Sequence, residues 1–388
     1  MGAGREDAAA LTRSTRTRAW PLVIRRATEQ DHDAVLAFAS GTWEGWDYIP
    51  NAWPVWLHAS DGAFLVGTVG ESPGAGREPL LDAEGSPLDV GQVVAITRVA
   101  MVSESEAWLE GIRVDPRVRG MGVAADLQVA ELQWVAAQRA DVVRYATGGE
   151  NEASHRLGAR DGIKVIARFR GWWWSATGSA EDDDHDPSAF EEAIHLAATE
   201  RRREALKRLG EARMIVAAER DDIDDLWRRL TADPTFTAGQ RLFEARSWAM
   251  AELTEAAFRR HVERGEVVVS REPVADGGWA IAILVGEQLP SEDSALRLAL
   301  LCGDGPSAAA LADEIRRLAG HSIRFRVPAE APMITGHEKR FREAGFVTRD
   351  WEMHLLARQM HDGQPIPAAD PARLVLADTP ARIEPPRW

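Results

Sequence analysis

The sequence predicts an α/β (α+β) protein built from two units, the second a diverged copy of the first. Three observations predict it. A strand, a glycine-containing turn and a helix follow one another from Trp108 to Trp134, strands and helices alternate through most of the chain, and the outline of the first half recurs after residue 211. At 388 residues the chain exceeds one average domain, and two is the natural expectation.

Taken in order, residues 1–19 are rich in Arg, Ala and Thr, lack a signal-peptide apolar core and read as a disordered lead. Residues 21–27 read as a strand. Thr28 with Asp31 three later marks a helix start, and Val35 and Phe38 give that helix its apolar side. A Gly- and Trp-containing loop over 40–50 precedes a short helix at Pro54–His58 and a strand at Ala63–Val69. The Gly-, Pro- and acid-rich stretch 70–90 reads as a loop or hairpin excursion. Strands at Val93–Met101 and Glu106–Val114 lead into the turn. After it, Val123, Leu127, Ala130 and Trp134 share one helical face. A strand at Val142–Tyr145, a helix at Asn151–Arg160 and a strand at Lys164–Phe169 close the first unit, placed at 20–174.

Residues 175–210 read as an acidic linker, with Glu181–Asp186 at its centre, followed by a connecting helix from Glu191 to Leu209. The second unit, 211–358, opens with a strand at Ile215 feeding a helix whose Ile223, Leu226, Trp227 and Leu230 form one face. Strands at Glu266–Ser270, Trp279–Val285 and Leu296–Leu301 precede a helix at Ser307–Leu318. Phe341, Gly345 and Phe346 then echo Leu157, Gly162 and Ile163 ahead of a final strand. Residues 359–388 read as an irregular tail.

Composition narrows the function. A formal net charge of −15 argues against nucleic acid or an anionic membrane as partner, and no apolar run approaches the length needed to span a bilayer. The only cysteine is Cys302, so no internal disulfide can form, which suits a cytoplasmic setting. The sequence suggests no metal site.

The turn carries the chemistry. Backbone N–H groups at a helix N-terminus attract an anion, and glycines there let the backbone approach a phosphate without an intervening Cβ. Arg113, Arg117 and Arg119 place positive charge beside it. Gly120, Gly122 and Ala125 also fit a dinucleotide fingerprint, with Asp141 as the one candidate for the ribose-binding acid; that would make the protein a nicotinamide-dependent oxidoreductase.

Arg119, Gly122 and Ala124 match the pattern Arg/Gln-x-x-Gly-x-Gly/Ala, and this segment resembles motif A of the GCN5-related N-acetyltransferases, the GNAT superfamily. Asn151, Ser154 and Leu157 with Gly162-Ile163 resemble its motif B. The resemblance implies two GNAT-like units, each a central mixed twisted sheet flanked by helices, and acetyl-CoA as cofactor. Ile112, Arg113, Val114, Arg119, Gly120, Met121, Gly122, Val123 and Ala124 would then hold the diphosphate and pantetheine, joined by Asn151 and Ser154. It also implies an oxyanion site on backbone N–H groups near Ile112, where the strand splays.

Acetyl transfer to an amine needs a base to take the ammonium proton. Glu110, on the strand entering the turn, is the candidate, with apolar neighbours expected to raise its pKa. The tyrosine that usually follows Leu157 and protonates the thiolate is here Gly158, which leaves Tyr48, His155 or water for that role. The loop holding Trp43, Glu44, Trp46, Asp47 and Tyr48 would wall the acceptor pocket, with Glu44 or Asp47 holding an α-ammonium. The Gly45-x-Asp47-Tyr48-x-Pro50 run and the two-unit layout resemble the histidine N-acetyltransferase group. The reading is thus an acetyl-CoA-dependent N-acetyltransferase acting on a primary amine of a small molecule, an amino acid being the acceptor this likeness suggests, by direct transfer in a ternary complex. The alternative is a non-catalytic acyl-CoA-binding or sensing protein. In the second unit Gly303-Asp304-Gly305-Pro306 has no arginine; Asp304 would repel a phosphate and Pro306 lacks an N–H. That unit is expected to be degenerate.

Overall fold

The described residues of the computed structural model are 18–40, 47–71, 80–176, 215–270, 278–288, 294–319, 322–378 and 382–383. In the first half the chain runs β1 (Leu22–Arg26), α1 (His32–Ala39), α2 (Ile49–His58), β2 (Gly62–Val69), β3 (Val93–Met101), β4 (Glu106–Val114), α3 (Val123–Gln138), β5 (Val142–Gly148), α4 (Glu152–Arg160) and β6 (Lys164–Trp174). The second half runs β7 (Ile215–Ala217), α5 (Ile223–Ala232), α6 (Pro234–Ala238), β8 (Leu242–Arg246), β9 (Ala249–Glu252) and α7 (Glu255–Glu263). It continues with β10 (Val267–Ser270), β11 (Ala280–Gln288), β12 (Ser294–Gly303), α8 (Gly305–Ala319), β13 (Ser322–Pro328), α9 (Glu338–Glu343) and β14 (Glu352–Gln359). A last strand, β15 (Leu374–Leu376), lies beyond it.

Thirteen of these strands form one mixed sheet in the order β15-β1-β2-β3-β4-β5-β14-β6-β13-β12-β11-β10-β7. Neighbours are antiparallel except β15·β1, β4·β5 and β12·β13. The two halves are read inward from opposite ends, and each gives its last strand to the other. β14 pairs with β5 (Leu356 opposite Tyr145), β6 pairs with β13 (Trp172 opposite Phe325), and the exchanged strands pair with each other at the centre (Leu355 opposite Ala167). The strand read as Lys164–Phe169, closing the first unit, therefore runs on through Trp174 and lies away from β5. The Trp172–Trp174 cluster belongs to it: Trp172 stacks on Phe325 at 6.5 Å, an apolar contact that no local periodicity announces.

Strand alternation divides the core between two faces. Ala107, Leu109, Val143 and Tyr145 pack under α3, while Leu296, Leu298 and Phe325 pack under α8 on the same side. Opposite them, Ile96 meets Trp53 and Trp56 of α2, and Trp108 meets Phe243 and Met250 of the β8–β9 hairpin. The four residues read as one face of α3 are all buried, as are Gln128 and Glu131 beside them.

The Thr28–Asp31 capping box is present, ahead of a 3₁₀ turn that leads into α1. The helix expected at Pro54 begins at Ile49, because the Asp47 carboxylate accepts the Ile49 N–H (2.9 Å) and Pro50 suits a first turn. Hairpin β8–β9 and strand β13 were absent from the sequence reading. The region read as an irregular tail supplies β15, whose Leu374–Leu376 pair in parallel with Leu22–Ile24 and cover the sheet edge. The acidic linker and connecting helix lie almost wholly outside the described residues.

Candidate active site

Two irregularities in β4 open a cleft. Its pairing with β5 covers only Glu106–Trp108, after which the strands part. Its register against β3 slips between Arg98·Glu110 and Ile96·Arg113, so Gly111 and Ile112 together face Thr97. Gly111 carries the slip with φ +74°, and a Cβ there would lie 2.5 Å from the Trp56 ring. This is a bulge built on a left-handed glycine, held from above by an indole.

At the end of β4, Asp115 accepts the Arg117 N–H (2.9 Å) and starts a 3₁₀ turn at Pro116. Gly120 (φ +78°) and Gly122 (φ +81°) then swing the chain into α3. None of the described residues accepts a hydrogen bond from the N–H groups of Gly120, Gly122, Val123 or Ala124, so four donors converge at a helix N-terminus. Met121, expected among the donors, instead gives its N–H to Val118 O (3.4 Å), and its side chain is buried. The Val123 side chain enters the core, leaving its backbone alone to face a ligand.

The cations around this turn differ from those expected. Arg113 turns away to Asp47, and Arg117 folds back onto Asp115 at 2.6 Å. Arg119 stays on the turn, with Nε 3.3 Å from Val114 O. The tail contributes Arg373: a Cβ on Gly122 would lie 2.6 Å from its Nη2. Arg373 (3.5 Å) and Arg18 (2.5 Å) share the carboxylate of Asp126 in the first turn of α3, two guanidiniums on one acid. A cleft of about 370 Å³ adjoins, lined by Asp126, Arg160, Pro367, Asp370 and Arg373 among others. An excess of positive charge at a helix N-terminus opposes the dipole, so helix stability alone would not select it. It fits a polyanion.

The other face of β4 holds a network of charges. Glu110, expected among apolar neighbours, sits instead between two guanidiniums: Arg98 of β3, and Arg246 of β8 at 2.7 Å from Oε1. Arg98 also binds Asp61, with Arg246 3.9 Å from the same carboxylate. Asp47, proposed as an ammonium holder, is committed as well. It accepts from Arg113 (Nε, 2.6 Å) and from the Ile49 N–H, with its side chain fully buried. The Arg113 guanidinium lies 5.0 Å over the Tyr48 ring, which meets Trp56 edge-on. Burial pushes the Tyr48 phenol above its ordinary range, with Glu110 and Asp47 adding to the rise. Glu110 and Tyr48 thus come together on one face. Trp43, Glu44 and Trp46 lie outside the described residues.

The motif B residues are in place but occupied. Asn151 caps α4, its Oδ1 accepting the Ser154 N–H (3.1 Å) and its Nδ2 donating to Thr147 (2.9 Å). His155 approaches Gly148 O (3.3 Å) and rests edge-on to His354. Gly158, where a tyrosine was expected, has no room for a side chain: a Cβ would overlap the Tyr145 hydroxyl, which donates to Ser154 O (2.9 Å).

The dinucleotide reading fails on position. Glu106 pairs in parallel with Val142, so Asp141 lies beside the start of β4, the whole length of that strand away from the turn. In the second half, Asp304 turns its carboxylate onto the N–H groups of Trp279 (2.7 Å) and Ser307 (3.0 Å), filling the place where an anion would bind. β12 also parts from β13 beyond Leu298, but Phe236 and Phe243 fill that gap to a residual space of about 20 Å³.

The sequence reading missed Asp61, Arg98, Glu131, Arg246 and Arg373. Arg98 is a lone charge in the apolar run Val93–Met101, and Glu131 interrupts an apolar helix face; both signals were legible. Nothing local marks Arg246 or Arg373, which reach the site from distant segments.

No family model matches the chain. A 151-residue stretch is 27% identical to a histidine N-acetyltransferase of Oreochromis niloticus, covering 37% of this chain and 39% of that protein. A 109-residue stretch is 33% identical to probable N-acetyltransferase 16 of Homo sapiens, covering 28% and 24%. The matches therefore span well under half of these relatives. Among solved structures, a GCN5-related N-acetyltransferase from Sphaerobacter thermophilus superposes with a TM-score of 0.44 at 14% identity, covering 91% of this chain and 98% of that one. A putative acetyltransferase from Pyrococcus horikoshii gives 0.41 at 9%, covering 87% and 89%. The described residues thus form a large mixed sheet with a bulged and parted β4 and a glycine turn into α3, and the chain shares a distant, partial sequence similarity with the histidine N-acetyltransferases.

Proposed function

We propose that the protein is an acetyl-CoA-dependent N-acetyltransferase that acts on a primary amine of a small molecule by direct transfer in a ternary complex. The observation that carries this reading is the continuity of β4: one strand supplies the parted cleft, the glycine bulge and the donor-lined turn. Bound acetyl-CoA would supply the acyl group and a thiol leaving group. Gly120, Gly122, Val123 and Ala124 would hold its diphosphate through their N–H groups, assisted by Arg119, with Ile112 and Val114 along the pantetheine and Asn151 and Ser154 beyond it.

Glu110 takes the ammonium proton in this reading. Its Oε1 is bound by Arg98 and Arg246, which leaves Oε2 as the accepting atom and fixes its direction. The N–H groups after Gly111 face the developing oxyanion. Tyr48, held protonated by burial, is the candidate proton donor to the thiolate. Asp47 and Arg113 shape the acceptor pocket. The buried Cys302 lies in the second half and takes no part in transfer. We read residues 20–174 and 211–358 as tandem GNAT-like units. The second has lost the cofactor, because its turn is filled by Asp304 and its cleft by two phenylalanines.

A second reading, a non-catalytic acyl-CoA sensor, is favoured by one observation: Gly158 stands where the thiolate-protonating tyrosine would be. Purified protein, acetyl-CoA and a panel of small amines separate the two. Thiol release with an acetylated amine detected by mass spectrometry supports the enzyme. Saturable CoA binding without thiol release on any amine supports the sensor.

A further inference from the structure

Under the bulge of β4, on the face opposite Glu110's side chain, lies an acid that the proposed chemistry does not use. Glu131 of α3 is 3% exposed, and its Oε1 contacts the Thr97 hydroxyl. Thr97, the residue skipped by the register slip, is fully buried, and its Oγ1 is also 3.4 Å from the carbonyl of Glu110. A hydroxyl has one proton to give and two lone pairs to receive. If Glu131 were a carboxylate it would claim the Thr97 proton, and the contact to Glu110 O could not be a hydrogen bond. Both contacts are hydrogen bonds only when Glu131 is the neutral acid, donating to Thr97 while Thr97 donates to Glu110 O.

We propose that Glu131 is a positioning residue for the transfer reaction: as a neutral acid it directs the Thr97 hydroxyl onto the Glu110 carbonyl and so holds the β4 bulge in its working shape. What the bulge does rests on the acetyltransferase reading above; the hydrogen-bond order does not. The surroundings agree. Burial moves the Glu131 carboxyl up to about 8, donation from Thr97 to the carboxylate form would oppose that rise, and the charge of Glu110 adds to it. From β5, Tyr145 is the titratable neighbour seen among the described residues, itself pushed up to about 12 by burial and therefore neutral. From β3, Arg98 points to the other face, onto Glu110 and Asp61. Among the described residues, no cation acts on Glu131 to stabilise its ionised form. Ionisation turns the Thr97 proton away from β4, and the Glu110–Gly111 peptide, which leads into the oxyanion donors, loses a tether.

The test uses the full-length protein. In its ligand-free form, infrared difference spectra of wild type against Glu131→Gln should show a protonated-carboxyl band at pH 7 that disappears as pH rises through about 8. Hydrogen exchange of Gly111 and Ile112, corrected for its intrinsic pH dependence, should quicken over the same interval in wild type and not in Glu131→Gln, whose amide can still donate to Thr97. With acetyl-CoA and an accepted amine, kcat of wild type should fall roughly 25-fold from pH 7.5 to pH 9.5, the alkaline limb of a single ionisation near 8. Glu131→Gln should abolish that fall, and Glu131→Ala and Thr97→Val should lower kcat at every pH. Absence of the infrared band, or an unchanged alkaline fall in Glu131→Gln, overturns the proposal. If the band and the exchange behave as described while no amine is acetylated, the acetyltransferase reading fails and the bulge assignment stands.

Discussion

Arg246 Nη2 lies 2.7 Å from Glu110 Oε1, joining residues 136 positions apart and tying a hairpin of the second half to the candidate base of the first. Both side chains are about nine-tenths buried, at 8% and 11% exposure. Removing one member of such a pair leaves the other charge without a partner it needs in a poorly solvated place. The cluster is balanced, two guanidiniums against Glu110 and Asp61, and any single change upsets it.

Arg246→Ala should therefore cost about 3–5 kcal/mol of stability, read by denaturant unfolding, and also lower kcat. Glu110→Gln should lower kcat by roughly 10²–10⁴ with little change in the KM for acetyl-CoA, the scale expected of a general base. Because the two residues act through one contact, the double variant should lose less than the sum of the single losses. Strict additivity in kcat would show that Arg246 does not act on Glu110.

The proposed diphosphate cradle gives a second prediction. Gly122→Ala places a Cβ at φ +81° and against Arg373, so it should raise the Kd for CoA about tenfold and cost roughly 1 kcal/mol of stability. Arg373→Glu should weaken CoA binding further, and the loss should shrink at high salt because an exposed charge is screened. Isothermal titration against CoA reads both, and it should return one site per chain, since Asp304 occupies the turn of the second half. Two sites per chain would show that Asp304 does not close the second turn, and unaltered binding by Gly122→Ala would remove the cradle from residues 119–124.

How much of this was written locally follows from the range of each interaction. The turn at 119–122, the Thr28–Asp31 box and the buried face of α3 depend on neighbours within a few residues, and all were legible in the sequence. Exchange of β6 and β14 was not, because Leu355 and Ala167 pair across almost two hundred residues and either strand would suit either sheet position by pattern alone. The Glu110 environment failed for the same reason. Its neighbours in sequence are apolar or glycine, but Arg98 comes from the next strand and Arg246 from a hairpin that the reading did not contain. Asp47 illustrates a different limit: an exposed-looking acid in a loop is buried because Arg113 needs a partner.

Glu131 makes stability depend on pH with a sign that can be worked out. Its folded value near 8 stands above the ordinary 4.5, so between those values the folded state keeps a proton that the unfolded chain has lost. The folded state binds more protons there, and stability falls as pH rises, by up to roughly 1.4 kcal/mol per pH unit. Glu131→Gln removes that slope. Its melting temperature relative to wild type should climb steadily from pH 5 to pH 8 and level off above. A constant offset across that range would mean that Glu131 is ionised in the folded protein.

Tyr145 and Gly158 permit a sharper test, because the missing side chain has a visible cause. The Tyr145 hydroxyl, bonded to Ser154 O at 2.9 Å, occupies the space into which any Cβ at 158 would project. Gly158→Ala should then destabilise the protein by about 1–3 kcal/mol through overpacking, despite alanine's better helix propensity. Tyr145→Phe deletes the obstructing oxygen and by itself should cost about 1 kcal/mol for the lost hydrogen bond. In the combined variant the two costs should not add: with the oxygen gone, alanine at 158 should recover part of its loss. Thermal unfolding of the four proteins closes this cycle. Full additivity would mean that the hydroxyl does not exclude a side chain at 158, and the tyrosine expected there from the sequence resemblance would be absent for a reason other than space.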